Sequence, residues 1–105
     1  MAQFDVYENR NSKTRRLIPF LLDVQNDLLA DLATTVVIPM CPATETKALE
    51  MARLTPRLNI NGQHYLLLTP QLAGIARKEL GDMVVNVADY RDDIIGALDF
   101  LVTGI

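Results

Sequence analysis

Few residues of this chain could serve as nucleophiles, general bases or metal ligands. Cys41 is the only cysteine, His64 the only histidine and Ser12 the only serine. A cysteine nucleophile needs a base beside it, whereas a structural zinc site needs about four cysteine or histidine ligands. Cys41 lies between two prolines at a predicted strand end, where a small apolar role is more common than a reactive one. The sequence therefore predicts no catalytic residue, no metal site and no cofactor.

The carboxylates of the last segment have an explanation that requires no catalysis. Asp89, Asp92 and Asp93 stand in the first turns of a predicted helix, where negative charge interacts favourably with the helix dipole. Asp99 follows farther along the same helix, where exposure to solvent accounts for it. The five glycines are scattered, so no phosphate-binding loop is indicated. A protein that acts by binding is therefore favoured over an enzyme.

The composition is that of a globular protein with a slight acidic excess. Half of the 105 residues are hydrophobic, and the formal net charge is −3. A direct nucleic-acid interface would need a basic face, against which this charge argues. A single cysteine favours a reducing compartment, and the first residues do not follow the pattern of a signal peptide. No stretch approaches the roughly 20 apolar residues of a membrane helix, so we expect one cytoplasmic domain over residues 1–105, without a membrane partner.

Two strands are predicted near the start of the chain. Residues 3–8 alternate apolar and polar side chains, which predicts a half-buried strand with Phe4 and Val6 on one face. Residues 17–24 are almost wholly apolar, and such a run is typical of a central strand covered on both sides.

A third strand and a hairpin follow. The β-branched run 36–38 predicts a strand, which Pro39 and Pro42 are expected to end. Asn61-Gly62, between two apolar runs, is the strongest short-range signal for a β-hairpin.

The order of these elements indicates the fold class. Residues 43–53 fit either a helix or the arm of a small hairpin, and Gly81-Asp82 is expected to turn the chain toward the last helix. Strand-turn-strand units followed by one helix predict an α+β domain, with a small barrel or a twisted antiparallel sheet.

The predicted helix covers residues 86–105. Asn86 and Asp89 have the spacing of an N-cap and the third helical residue, and Gly104 is expected to end the helix. Its apolar stripe consists of Val87, Tyr90, Ile94, Leu98, Leu101 and Ile105. This stripe exceeds what one face needs to cover a small sheet, and surplus apolar surface is typical of a binding site. A second copy, related by a two-fold axis, is the simplest partner; the alternative is that Val102 and Ile105 pack into the domain's own core.

Two other segments are candidates for contact with partners. Leu28 and Leu29 lie between aspartates in a segment too short for a stable helix, so at least one of them is expected to be exposed. The loop 9–16 is predicted to be a mobile hairpin loop and is a candidate docking site for an acidic partner, although a solvated loop is the simpler interpretation. Its basic residues are Arg10, Lys13, Arg15 and Arg16.

The whole chain resembles the CcdB toxins of bacterial toxin–antitoxin pairs. The patterns that carry the resemblance are Gln3-Phe4-x-Val6-Tyr7, Leu22-Asp23-Val24-Gln25-x-Asp27-Leu28-Leu29, Val37-Ile38-Pro39 and the ending Gly104-Ile105. The resemblance implies a homodimer with an SH3-like barrel, a small extra sheet and a C-terminal helix. It also implies a poison that binds the DNA gyrase A subunit and traps the enzyme on cleaved DNA. The antitoxin CcdA would neutralise this toxin, and operator DNA would be bound only through the antitoxin.

The resemblance also assigns residues and shows departures. The family's gyrase-contacting positions fall on Leu28, Leu29, Asp99, Val102, Thr103, Gly104 and Ile105. Thr103 stands where the best-known members carry tryptophan, and Asp99 where they carry asparagine. A non-toxic antitoxin-binding or regulatory module of the same fold is therefore the alternative, and a nuclease of this barrel type is a third hypothesis. Antitoxin contacts at the basic loop and at residues 44–53 are a further hypothesis, because a disordered acidic inhibitor would suit a positive surface.

Overall fold

One antiparallel sheet and one helix make up the regular structure of the described residues. The computed structural model describes residues 2–44 and 53–104. Its strands are β1 (Asp5–Asn9), β2 (Phe20–Asp23), β3 (Thr34–Pro42), β4 (Arg57–Ile60), β5 (Gln63–Leu67), β6 (Ala73–Ala76) and β7 (Leu80–Asn86). They form a 7-stranded sheet in the order β4-β5-β3-β2-β1-β7, with β6 paired to β3 outside that row. The helix α1 (Arg91–Thr103) follows β7, which confirms the predicted α+β, mainly β class.

Strand β3 organises the sheet because its two halves have different neighbours. One edge pairs with β2 from Val37 to Met40. The other edge pairs with β6 over residues 34–37 and with β5 over residues 40–42. The sheet curls into a half-barrel, where the resemblance implied an SH3-like barrel with a small extra sheet. The β4–β5 hairpin joins the same sheet through β3. The alternative of a helix or a hairpin arm at 43–53 falls mostly on residues 45–52, outside the described residues.

Pro39 does not end β3, so that part of the prediction was wrong, whereas Pro42 is the last residue of the strand, as predicted. A residue's N–H and C=O point to the same side of a strand. The Pro39 carbonyl accepts a hydrogen bond of 2.9 Å from the Leu68 N–H, so its missing N–H also faces away from β2, between the ends of β6 and β5. Pro42 lies beyond the last residue pair of β2 with β3. Neither proline removes a hydrogen bond of the sheet, and the strand continues through Pro39 as far as Pro42.

The predicted hairpin at Asn61-Gly62 is confirmed. Ile60 pairs with Gln63, which leaves a loop of two residues. Asn61 has φ 53° and Gly62 has φ 90°. Positive φ at both central positions defines the type I′ turn that matches the twist of the flanking strands.

The prediction of a turn at Gly81-Asp82 was wrong, because both residues lie inside β7. Strand β7 pairs with β1, and the register shifts twice along this pair. A Cβ atom on Gly81 would lie 2.7 Å from the carbonyl oxygen of Glu8. Gly81 therefore permits a close approach of two strands rather than a turn.

Apolar side chains pack on both faces of the central strands. Val6, Leu22 and Ile38 belong to the main buried cluster, which includes Ile94 of α1. The residues next to them in sequence point to the other face, where Tyr7 and Val37 are buried with Leu80. Strand β2 is therefore central and covered on both sides, as predicted, but it is shorter than the predicted strand 17–24.

The first three residues of β1 are buried on both faces, so the prediction of a half-buried strand was wrong there, although Glu8 is exposed. Asp5 is among its buried residues. Its carboxylate accepts hydrogen bonds from the Ala2 N–H and from Nδ2 of Asn86, both at 2.8 Å, and from the Tyr7 hydroxyl at 3.3 Å. Burial raises the pKa of Tyr7 from its ordinary value of 10.0 to about 12, and the negative charge of Asp5 acts in the same direction.

Helix α1 begins later than its N-cap pattern predicted. Asn86 ends β7, and its Oδ1 accepts a hydrogen bond from the N–H of Ala88, the first residue of a short 3₁₀ turn (88–90) that precedes α1. Ile94 and Ala97 are the buried residues of α1. Gly104, with φ 73°, ends the helix as predicted, and its N–H donates to the Phe100 carbonyl at 3.0 Å. Within the described residues, no helix is long and apolar enough to cross a membrane.

Gly81→Ala is expected to destabilise the fold, because its Cβ would meet the backbone of β1 rather than a side chain that can move. A loss of about 1–3 kcal/mol in the free energy of unfolding is typical of such overpacking. Gly74→Ala is the matched control, since a Cβ there meets nothing within 4 Å. Urea unfolding of both variants measures the difference, and equal stability of the two would contradict the close-approach explanation.

Tyr7→Phe is expected to remove a loss of stability at alkaline pH. The raised pKa means that the folded state favours the neutral phenol. Below about pH 10 both states hold the proton and the stabilisation is complete; it is lost as the pH rises toward about 12, because the unfolded state ionises first. The urea midpoint of wild type should therefore fall between about pH 10 and pH 12, and that of Tyr7→Phe should fall less over the same range. Tyr90→Phe, the control, should keep the wild-type alkaline decline.

Candidate functional site

The leucine loop (residues 27–32) connects β2 to β3 and displays apolar side chains. It begins with a 3₁₀ turn from Asp27 to Leu29. The side chain of Leu28 is 90% exposed and that of Leu29 is 46% exposed, which confirms the predicted exposure. Leu32, in the same loop, is 49% exposed. Three of the six residues of this loop are therefore leucines exposed to solvent, which makes the loop a candidate binding surface.

Polar contacts hold the first turn of the leucine loop. Oδ1 of Asn26 accepts a hydrogen bond of 2.8 Å from the Leu28 N–H. Oδ1 of Asp27 accepts one of 2.6 Å from the Gln3 N–H. The side-chain amide of Gln25 donates to the Thr34 carbonyl across the base of the loop. The loop is therefore fixed by hydrogen bonds, although its leucines are in solvent.

A buried carboxylate and an arginine lie beneath this loop. Asp23 is 2% exposed, and its Oδ1 accepts hydrogen bonds from the Thr35 hydroxyl at 2.8 Å and the Gln25 N–H at 3.1 Å. Nη1 of Arg77 lies 3.7 Å from Oδ2 of Asp23. The same guanidinium donates to the carbonyls of Leu32, at 2.7 Å, and of Leu29, at 3.3 Å. Sequence reasoning missed Arg77, because no local pattern relates it to a loop more than forty residues away.

The end of α1 is the second candidate surface. Asp99, Val102, Thr103 and Gly104 are exposed, and Val102 is 79% exposed. The alternative in which Val102 packs into the core was therefore wrong. The Thr103 hydroxyl donates to the Asp99 carbonyl at 2.7 Å, so this side chain is turned back along the helix. Ile105 lies outside the described residues.

Different parts of the chain build these two surfaces. The leucine loop is hydrogen-bonded to Gln3, Gln25 and Arg77, whereas α1 packs against the short turn 69–71. The sequence-predicted residues thus divide into two groups on separate elements, with Leu28 and Leu29 in one group. Asp99, Val102, Thr103 and Gly104 form the other.

The basic loop borders a groove. All four of its basic residues, Arg10, Lys13, Arg15 and Arg16, are exposed. Side chains of Asn9 and Asn11 shape the loop by accepting hydrogen bonds from the Asn11 and Lys13 N–H groups. The groove has a volume of about 600 Å³ and includes apolar, polar and charged lining residues. They are Asn9, Arg10, Asn11, Thr14, Ile18, Leu21, Pro39, Gln71, Ile75, Lys78 and Glu79.

The candidate nucleophile and base do not form a catalytic site. Cys41 is buried with Ala43, Leu66 and Leu68, where substrate has no access to its thiol. His64 is exposed on β5. Among the described residues, no group of three or more histidine, cysteine, aspartate or glutamate side chains is placed to hold a metal ion.

The architecture is shared with a solved toxin structure. An endoribonuclease in complex with its cognate antitoxin, from Mycobacterial species, superposes with a TM-score of 0.75. The alignment covers 97% of this chain and 94% of that chain, at 14% sequence identity. At this identity the similarity establishes a common fold.

The family is established by the sequence. The family model described as CcdB protein matches residues 3–104, nearly the whole chain. The match includes Leu28, Leu29, Asp99, Val102, Thr103 and Gly104, the candidate contact residues within those bounds. The chain therefore belongs to the CcdB family, whose members are toxins of toxin–antitoxin pairs.

Proposed function

We propose that this protein binds the DNA gyrase A subunit, traps the gyrase–DNA cleavage complex, and is neutralised by an antitoxin of the CcdA type. The observation that carries the proposal is the leucine loop, where Leu28 is 90% exposed at a position to which the resemblance assigns gyrase contact. Full burial of a leucine side chain contributes about 1.5–3 kcal/mol. In the isolated domain the Leu28 side chain stays in water, so this stabilisation is gained only when a partner buries it.

The end of α1 supplies the second set of gyrase contacts in this proposal. Val102 offers an exposed apolar side chain, and Asp99 an exposed carboxylate. An arginine of the target would form a charge-assisted hydrogen bond with this carboxylate, one of the stronger polar contacts in proteins. Thr103, Gly104 and Ile105 complete the surface. The poison acts by occupying gyrase and not by chemistry of its own.

A homodimer would bring two copies of this surface together. Partly buried side chains follow the length of α1 beside its buried residues, and a two-fold partner would cover them further. These residues are Ile95, Leu98, Phe100 and Leu101. Two adjacent helix ends would present a larger apolar surface to gyrase than one copy can.

The basic loop is the proposed antitoxin-binding region. Arg10, Lys13, Arg15 and Arg16 concentrate positive charge in a chain whose net charge is −3. The groove beside them has apolar lining residues such as Ile18, Leu21 and Ile75, which suit a disordered acidic segment that folds on binding. Operator DNA would be bound by the antitoxin within the complex, because the toxin's net charge does not favour DNA. The solved relative in complex with its cognate antitoxin is consistent with such a partner.

A non-toxic antitoxin-binding or regulatory module is the second candidate function. Thr103 favours it, because a threonine whose hydroxyl is bonded to Asp99 cannot supply the contact of a tryptophan. Loss of a large aromatic anchor weakens an interface by roughly 2–4 kcal/mol. A protein that binds its antitoxin but does not bind the gyrase A subunit would have this function.

Leu28→Glu is expected to abolish gyrase poisoning, because a charge at the centre of the contact would be buried without a partner. In a cleavage assay with purified gyrase, wild type should accumulate linear, protein-linked DNA and Leu28→Glu should not. Met83→Glu is the matched control: Met83 is 51% exposed on β7, outside the proposed surface. Deletion of residues 103–105 should likewise abolish growth arrest in cells that lack antitoxin. Cleavage by Leu28→Glu at the wild-type level would refute this use of the loop, and no cleavage by wild type would favour the second candidate.

Replacement of Arg10, Lys13, Arg15 and Arg16 by glutamine is expected to weaken antitoxin binding at least about tenfold at low salt. The difference from wild type should shrink as salt rises, because exposed charges are screened. Titration calorimetry with the purified antitoxin at several salt concentrations measures both effects. Arg91→Gln removes one exposed charge from the start of α1 and serves as the control. Unchanged affinity in the fourfold variant would remove the basic loop from the antitoxin interface.

A further inference from the structure

Arg77 donates hydrogen bonds to backbone carbonyls within the leucine loop and just after it. Its Nε donates to the Leu32 carbonyl at 2.7 Å, and its Nη2 donates to the Leu29 carbonyl at 3.3 Å. Its backbone N–H donates to the Ala33 carbonyl at 2.9 Å. Arg77 follows β6, which pairs with the first half of β3, so the arginine reaches the loop from the rigid sheet.

Burial of apolar surface does not hold this loop in place. Every residue from Asn26 to Thr34 is exposed. Fixing the backbone of one residue costs about 1–2 kcal/mol of conformational entropy. Hydrogen bonds must therefore supply the order, and Arg77 contributes those that connect the far side of the loop to the sheet.

Asp23 places a negative charge 3.7 Å from Nη1 of Arg77. Its Oδ1 is occupied by Thr35 and Gln25, which leaves Oδ2 directed toward the guanidinium. The guanidinium is a planar fork with five N–H donors, so one side chain can contact a carboxylate and two carbonyls at once. A lysine would keep the charge beside Asp23 but not this geometry.

We infer that Arg77 is a positioning residue for target binding: oriented by Asp23, it holds the leucine loop so that Leu28 is presented to gyrase. This inference rests on the proposed function. It adds the residue that keeps the leucine loop in one conformation, whereas the proposed function names only the residues that contact gyrase. Arg77 acts through the loop and is not itself a contact residue.

A double-mutant cycle tests whether Arg77 acts through Leu28. We expect Arg77→Met to weaken binding to the purified gyrase A subunit at least about tenfold, since the loop is then displayed in many conformations. In a Leu28→Ala background the same substitution should weaken binding less than about twofold, because residues that act through one another are not additive. Arg91→Gln, which removes an exposed charge elsewhere, should leave affinity unchanged in both backgrounds. Equal losses in the two backgrounds would overturn the inference.

Amide hydrogen exchange provides a readout that does not depend on gyrase. The N–H groups of Leu29, Ala30 and Leu32 are hydrogen-bonded within the loop. Arg77→Met should accelerate their exchange at least about tenfold and leave the amides of β1 and β2 unchanged. Unchanged loop exchange, or acceleration throughout the sheet, would overturn the inference. Arg77→Lys keeps the charge beside Asp23 and is the second variant, expected to fold and to accelerate loop exchange by an intermediate factor.

The two measurements separate failure of the inference from failure of the proposed function. If wild type does not bind gyrase A, the proposed function is refuted, and the exchange of the loop amides still decides whether Arg77 holds the loop. If wild type binds and the loop exchange is unchanged in Arg77→Met, the proposed function stands and the role of Arg77 is refuted.

Discussion

The buried carboxylate of Asp23 connects three parts of the molecule that are far apart in sequence. It ends β2, accepts a hydrogen bond from Thr35 of β3, and lies beside the guanidinium of Arg77. A buried charge is costly unless hydrogen bonds and an opposite charge compensate for it. Removing a single partner would leave part of that cost uncompensated. The edge of the half-barrel and the leucine loop are therefore both connected to one buried carboxyl group.

A surface that binds other proteins must expose apolar side chains and still keep a defined shape. The leucine loop meets both conditions, because its backbone is hydrogen-bonded while Leu28 remains in solvent. The end of α1 meets them differently, since Ile94 and Ala97 anchor the helix in the core and leave Val102 exposed. In both places the backbone is held in one conformation by hydrogen bonds or buried side chains, and the exposed side chains stay free to contact a partner. Such preorganisation reduces the entropy that binding would otherwise cost.

Much of the fold was predictable where local chemistry leaves one solution. Asn61-Gly62 forms a type I′ hairpin because these residues tolerate positive φ. Gly104 ends α1 for the same reason. Predictions failed where a neighbouring strand changed the role of a residue. Gly81 accommodates β1 within a strand, and Pro39 remains in β3 because its missing N–H faces a gap between two partner strands.

The sequence alone determined the class of the protein: few reactive side chains, an antiparallel sheet followed by a helix, and the motifs that relate it to the CcdB family. It also indicated that Leu28 or Leu29 would be exposed, because a short segment between aspartates cannot bury them. Only the tertiary structure decided that Asp5 and Tyr7 are buried and that Val102 is exposed. It also decided that Arg77 donates hydrogen bonds to the leucine loop. The physical reason is that periodicity and turn chemistry act between residues close in sequence. Burial of a strand's second face, and a hydrogen bond from Arg77 to Leu29, depend on which distant segments the folded sheet brings together.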